Sequence, residues 1–251
     1  MNRHVGILVF VTLVWGTTFP LLKSAAATLS GVEISAIRFA FATLCMAPFL
    51  RRVPAATWRD GAILGALALV SYVTQAYGLQ YISSNRSAFL TSLNVLMVPL
   101  LGLLWGGTLS ALTLACALAA CLGIGLMSWE GGAHLLGDGA TLLCALAYAL
   151  YVIVLSQRAA EHDARQLTAT QILFMTVFAG LWVVASDASS GTLHSLNQRL
   201  LPHLWPLVYL GLIATAGMLL LQAMAQKHVS ADKAAVIYAM EPVFAALFGW
   251  I

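Results

Sequence analysis

Apolar residues fill this chain in runs separated by short polar breaks, and each run approaches the roughly 20 residues a helix needs to cross a bilayer core. The runs predict spans near 5–27, 33–50, 61–80, 86–106, 110–129, 138–157, 168–186, 205–226 and 232–251, numbered 1 to 9 below. The breaks carry the residues that end helices: Ser30-Gly31, Pro54, Gly106-Gly107, Gly131-Gly132 and Pro202. The one long break is Asp187 to Leu204. The pattern predicts an all-α membrane protein, a bundle of about nine transmembrane helices. The first run exceeds the roughly 7–15-residue core of a secretory signal and reads as a retained helix. A cleaved signal is the alternative, because the run ends in alanines.

Composition agrees. Hydrophobic residues make up 61% of the chain and charged residues 8%, against roughly 25% charged in a soluble domain. Mean hydropathy is +0.91. So few charges cannot cover a water-facing surface, so lipid is the partner of most of the outer face. The net charge is +3 with the basic residues scattered, which excludes a nucleic-acid partner. Cys45, Cys116, Cys121 and Cys144 lie in apolar runs without metal-ligand spacing and read as small core residues. An N-terminus in the cytoplasm puts Arg3, Arg51, Arg52, Arg59, Arg158, Arg165, Lys227 and Lys233 inside. Only Lys23, Arg38, Arg86 and Arg199 then fall in the outer half, which supports that orientation.

An internal repeat underlies the spans. A shift of 147 residues lays 58–103 over 205–250 without a gap. It pairs Trp58 with Trp205, Gln75 with Gln222, Ser83 with Ser230, Asn85 with Asp232, Arg86 with Lys233 and Gly102 with Gly249. Span 3 starts inside and span 8 outside, so the copies are inverted. Such repeats characterise secondary transporters, with the solute site near the midplane between halves. The division expected is 1–130 and 131–251.

Polar groups in hydrocarbon are costly, so those at mid-span are functional candidates. Glu241 lies deep in span 9 and Pro242 follows it, removing a backbone donor and opening the helix there. A carboxyl at that depth suits proton exchange during transport; a neutral acid that only ties helices together is the alternative. Asn94 is the repeat equivalent of Glu241, with Pro99 as a possible break, and helix packing is its alternative role. Gln75 and Gln222 offer donors and acceptors for a zwitterionic or polyhydroxylated solute, or bond helix to helix. Trp15, Tyr72, Tyr77, Tyr148, Tyr151 and Tyr238 lie deeper than an interfacial belt, and several are candidates to line a cavity. Lys23, Glu33 and Arg38 flank the first outer loop within a turn or two of the interface, where snorkelling or an ion-pair clasp is expected. Arg86 and Lys233 start their helices and read as anchors. Asp232 reads as a helix-start acid.

Signatures of enzymes are absent: no GxSxG, HExxH, P-loop or helix-opening GxGxxG. His4, His134, His162, His194, His203 and His228 lie in loops or at helix ends, where neither a metal cluster nor a buried triad is expected. No cofactor or metal is called for.

At this point the chain resembles the EamA-type transporters of the drug/metabolite transporter superfamily over nearly its whole length. The resemblance is carried by LVWGTTFPLLKS (13–24), EISAIRFAFATL (33–44), AYGLQYISSNRSAFLTSLNVLMVPLLGLL (76–104) and AQKHVSADKAAVIYAMEPVFAALFGW (225–250). It implies two inverted five-helix repeats, ten helices around a central cavity, both termini cytoplasmic, and export of amino acids and related metabolites. Lys23, Glu33 and Arg38 match positions recurrent in the family. Two departures stand out. Gly106-Gly107-Thr108 replaces a Gly-Glu pair that often ends the fourth helix, and the sequence stops at Ile251, where span 9 ends and before a tenth.

The resulting expectation is an alternating-access carrier of the bacterial inner membrane that exports a small amino acid-like solute. Its cavity is expected between spans 1, 3, 4, 6, 8 and 9, lined by Trp15, Thr18, Tyr72, Gln75, Asn94, Tyr148, Tyr151, Gln222, Tyr238 and Glu241. Glu241, Lys23, Glu33 and Arg38 are expected to couple or gate. An organic-cation exporter and a non-transporting scaffold are the alternatives. The sequence leaves the oligomeric state open.

Overall fold

The structure, a computed structural model, describes residues 3–106, 111–127, 132, 134–190 and 193–249. Among these residues every regular element is a helix. Span 1 is α1 (Arg3–Gly16) and α2 (Thr18–Ala26), interrupted at Thr17. The second is α3 (Gly31–Met46), started by a capping box: the Ser30 hydroxyl accepts from the Glu33 N–H, and the Glu33 carboxylate accepts from the Ser30 N–H. Pro54 precedes α4 (Ala55–Gly78). Span 4 is α5 (Ser84–Ser92), capped by Ser83, and α6 (Asn94–Gly102). Then come α7 (Ala111–Met127), α8 (Leu135–Arg158) and α9 (Ala164–Ser190).

The predicted break from Asp187 to Leu204 is mostly helical: α9 runs on to Ser190, and α10 (Leu193–Leu200) follows. Its apolar residues recur at Leu193, Leu196 and Leu200, spacing that suits a helix lying across the end of a bundle. Span 8 contains α11 (Leu204–Tyr209), a π-helical stretch over Leu210–Gly217, and α12 (Met218–Gln226). Span 9 is α13 (Ala231–Tyr238) and α14 (Glu241–Gly249). Gly107, Thr108 and Gly131 lie outside the described residues.

Among the described residues six helical stretches are long and apolar enough to cross a membrane: Arg3–Ala26, Gly31–Leu50, Ala55–Gly78, Leu135–Glu161, Ala164–Ser186 and Ser195–Gln226. The protein is therefore a multi-pass, all-helical membrane protein. Within the described residues the other three predicted spans show no helix of that length. Two are split into half-helices, and α7 has 17 residues.

The bundle is apolar outside and partly polar within. Leu44, Leu104, Leu112, Leu126 and Leu135 point outward, whereas Thr12, Glu33, Arg38, Gln171, Gln222 and Glu241 are buried. A water-soluble fold distributes these types the other way. Helices approach closely at small residues, as membrane bundles require. A Cβ on Gly16 would lie 2.5 Å from the Phe244 Cβ and 3.0 Å from the Ala245 nitrogen, so α1 and α14 meet backbone to backbone there.

Candidate functional site

Three of the predicted spans are interrupted near the cavity described below, at Thr17, Leu93 and Ala239-Met240. At Thr17 the side-chain hydroxyl donates to the Val14 carbonyl, and the Thr17 N–H bonds the same oxygen. The fourth span breaks at Leu93, where the chain takes i−3 bonds (Leu93 to Leu90, Leu96 to Leu93) and the Asn94 amide donates to the Thr91 carbonyl at 2.8 Å. Pro99, a possible break by sequence, sits inside α6 instead. The ninth span breaks at Ala239-Met240, and Pro242 falls in the first turn of α14, where its missing N–H costs no helical bond. Asn94 and Glu241 each open the second half-helix, and 94 + 147 = 241, the shift of the sequence repeat.

Around these breaks lies a cavity lined by Trp15, Thr18, Arg38, Ser71, Tyr72, Gln75, Thr91, Tyr148 and Glu241. It leaves about 420 Å³ of atom-free space, a figure that includes the part open to solvent. Its walls come from α1, α2, α3, α4, α5, α8 and α14, so the second span contributes and the eighth stands behind. Among the described residues the Gln75 side-chain amide and the Glu241 carboxylate have no hydrogen-bond partner. Both are left to whatever enters.

Arg38 is where sequence and structure part. Expected near the interface, it is 2% exposed and reaches the cavity. Its Nε and one Nη donate to the Thr215 hydroxyl at 3.1 and 2.9 Å, and that Nη also approaches the Leu210 carbonyl at 3.4 Å. The π-helical stretch makes this possible, because its i−5 register leaves side-chain and carbonyl oxygens for an outside donor. Thr215 itself donates to Leu210 at 2.7 Å. Gly211 permits the approach, since a Cβ there would lie 2.5 Å from the Arg38 carbonyl oxygen. The guanidinium lies 4.6 Å from the centre of the Tyr72 ring and 5.8 Å from that of Phe39.

The other predicted site residues form a layer behind the wall. Gln222 donates to the hydroxyls of Tyr148 and Tyr238, both at 3.1 Å, and Tyr238 donates to Gln226. Tyr148 therefore accepts from behind and keeps its own proton for the cavity. Tyr151 donates to Gln171. Trp15 donates to the Ala214 carbonyl at 2.9 Å and packs against Tyr148 and Tyr238 at 5.9 and 5.7 Å. Asn94, Tyr151, Gln222 and Tyr238 are buried but do not line the cavity. Ser71 and Thr91 do, and sequence reasoning missed them. Small hydroxyls are common in spans, and no pattern marked these two.

Polar contacts tie helices together near both ends of the bundle. On the face opposite the N-terminus, Arg199 grips Glu33 through two hydrogen bonds of 3.0 and 2.6 Å, beside a wider pocket bounded by Leu29, Gln80 and Trp182. Lys23 caps the end of α4 by donating to the Leu79 and Ile82 carbonyls. Arg86 holds both oxygens of Asp138 at 2.7 Å. On the N-terminal face His162 is buried between Asp60 (2.9 Å) and Thr57 (3.0 Å), and Lys227 donates to its carbonyl. That buried trio was not expected. Its span-3 members bond a loop of the second half across more than 100 residues, so it joins the halves. Asp60, Glu161 and His162 offer ligand atoms within 4.8 Å of one another, but Arg59 and Arg158 already pair the two carboxylates.

The comparisons agree with this architecture. The model of the EamA-like transporter family matches residues 4–129 and 135–251. An uncharacterized transporter of Archaeoglobus fulgidus is 29% identical over 243 residues, covering 96% of this chain and 75% of that one. A protein crystal structure superposes with a TM-score of 0.72 at 17% identity, covering 98% of this chain and 87% of the other, a likeness of fold alone. Since the family model spans both halves, the chain belongs to the EamA-like transporter family, a class of membrane transporters and not of enzymes.

Proposed function

We propose that this transporter is an alternating-access carrier built from two inverted repeats, 1–130 and 131–251, that exports small amino acid-like metabolites. The observation that carries the reading is the cavity between the halves, set at helix breaks that coincide under the 147-residue repeat. Broken helices at a midplane site are how carriers present backbone and side-chain polarity to a solute without exposing it to lipid. The lining suits a small molecule with a polar head and an apolar body: Arg38, Gln75 and Glu241 beside Trp15, Tyr72 and Tyr148. Clasps on both faces supply the closures that two access states need. Rocking of the halves would break Glu33–Arg199 in one state and the Asp60–His162 contact in the other.

The setting proposed is a bacterial inner membrane with the N-terminus in the cytoplasm, after the eight basic residues on that face against three on the other, Arg38 being buried in the cavity. Glu241 is the proposed coupling acid. Counterflow in proteoliposomes tests the reading. Vesicles loaded with unlabelled amino acids should accumulate labelled amino acids saturably, and protein-free vesicles should not. Failure of a folded preparation to accumulate any of them refutes the substrate class. Accumulation of quaternary ammonium ions in their place would support the organic-cation alternative, which the Glu241 carboxylate and the surrounding rings favour.

A further inference from the structure

A guanidinium taken out of water needs a counter-charge or a full set of acceptors. Arg38 has neither. Its protein partners are neutral oxygens of Thr215 and Leu210 and the faces of Tyr72 and Phe39. Among the described residues no carboxylate oxygen lies within 4.0 Å of it. The second Nη, with two N–H donors, has no described protein acceptor, and the side chain borders the cavity. The mounting is elaborate for a residue that only fills space. A π-helical stretch offers the Leu210 carbonyl, Thr215 bridges it to the guanidinium, and Gly211 lets the backbones close. A fixed cation with an unused edge, walled by rings, is a receptor for an anionic group.

We infer that Arg38 is the carboxylate-recognising residue of the cavity, so that this carrier selects carboxylate-bearing solutes, zwitterions among them, over organic cations. The inference rests on the reading of the cavity as the transport site. Glu241 and the rings of Trp15 and Tyr148 lie in the same cavity and suit the ammonium group of a zwitterion. An organic cation that settles at Glu241 leaves the Arg38 guanidinium without an anion and adds a like charge to the same cavity, which disfavours it relative to a solute that also carries a carboxylate. Thr215 is a positioning residue: it orients Arg38 and does not line the cavity.

Three probe pools separate the possibilities: the protein amino acids, their carboxamides (ammonium without carboxylate), and the matching acids without an ammonium group. The readouts are counterflow in proteoliposomes and ligand-induced rise of the unfolding midpoint of the purified protein. The wild type should be stabilised by amino acids and by the simple acids, and not by the amides. Arg38→Gln should weaken the carboxylate pools by at least ~30-fold, the effect of removing one partner of a buried charge contact. Arg38→Lys should fall between. Stabilisation by amides equal to that by amino acids, or unchanged affinity in Arg38→Gln, would overturn the assignment while leaving a carrier in place. No counterflow of any pool by the wild type would overturn the carrier reading and the assignment with it. Should Arg38→Gln fail to fold, the ranking of the three pools on the wild type decides alone.

Discussion

At the residue scale, the site depends on a few polar side chains whose surroundings fix their orientation. Thr215 shows this most directly. Its hydroxyl accepts from two nitrogens of Arg38 and donates to Leu210. A hydrogen bond to a charged group contributes about 1.5–3 kcal/mol, so Thr215→Val should raise the KM of carboxylate solutes by roughly tenfold or more, with a smaller effect on kcat. Thr215→Ser should restore it. Equal loss in both variants, or loss of kcat alone, would point to a general packing defect. Glu241 allows a separate test. Glu241→Gln should flatten the pH dependence of transport while binding of unprotonated solutes persists, and an unchanged pH profile would remove it from the coupling role. Most cavity residues were legible in the sequence, because Trp, Gln and Glu are rare enough in apolar runs to stand out. Arg38 was placed too near the interface. Counting from Gly31 at 1.5 Å per residue puts it roughly 11 Å along the helix, too deep for simple snorkelling. The oxygens that hold it come from a π-helical register 172 and 177 residues away, which no local pattern encodes.

At the element scale, interruptions and close approaches matter more than helix length. Gly16 lies next to the break in span 1 and directly against Phe244 and Ala245 of α14. Any side chain there must push α1 and α14 apart. Gly16→Val should cost about 1–3 kcal/mol, as overpacking does, and lower the thermal midpoint in detergent. An unchanged midpoint would mean that the helices are not held at this distance. Helix existence was legible along most of the chain, since long apolar runs leave little else to form in lipid. The breaks were only half legible. Pro242 marked one correctly, but the break before Asn94 comes from its side-chain amide and i−3 bonding, not from Pro99. The expected break from Asp187 to Leu204 is helical over residues 187–190 and over Leu193–Leu200, the second of these because its leucines recur at helical spacing among polar residues.

At the scale of the molecule, the two segments matched by the family model are pinned to each other near both ends of the bundle. The pins bond residues distant in sequence, Glu33 to Arg199 and Asp60 to His162, so neither was visible in any window of the chain. The central claim is that solute crosses through the cavity between the halves. The direct measurement is trans-stimulated exchange of labelled amino acids in proteoliposomes, comparing the wild type with Ser71→Trp, which fills the cavity from a buried position on α4. The expected result is saturable uptake, accelerated by solute preloaded inside, and its loss in a Ser71→Trp protein that retains a cooperative unfolding transition. Exchange that survives with the cavity filled, or uptake indifferent to preloading, would contradict it.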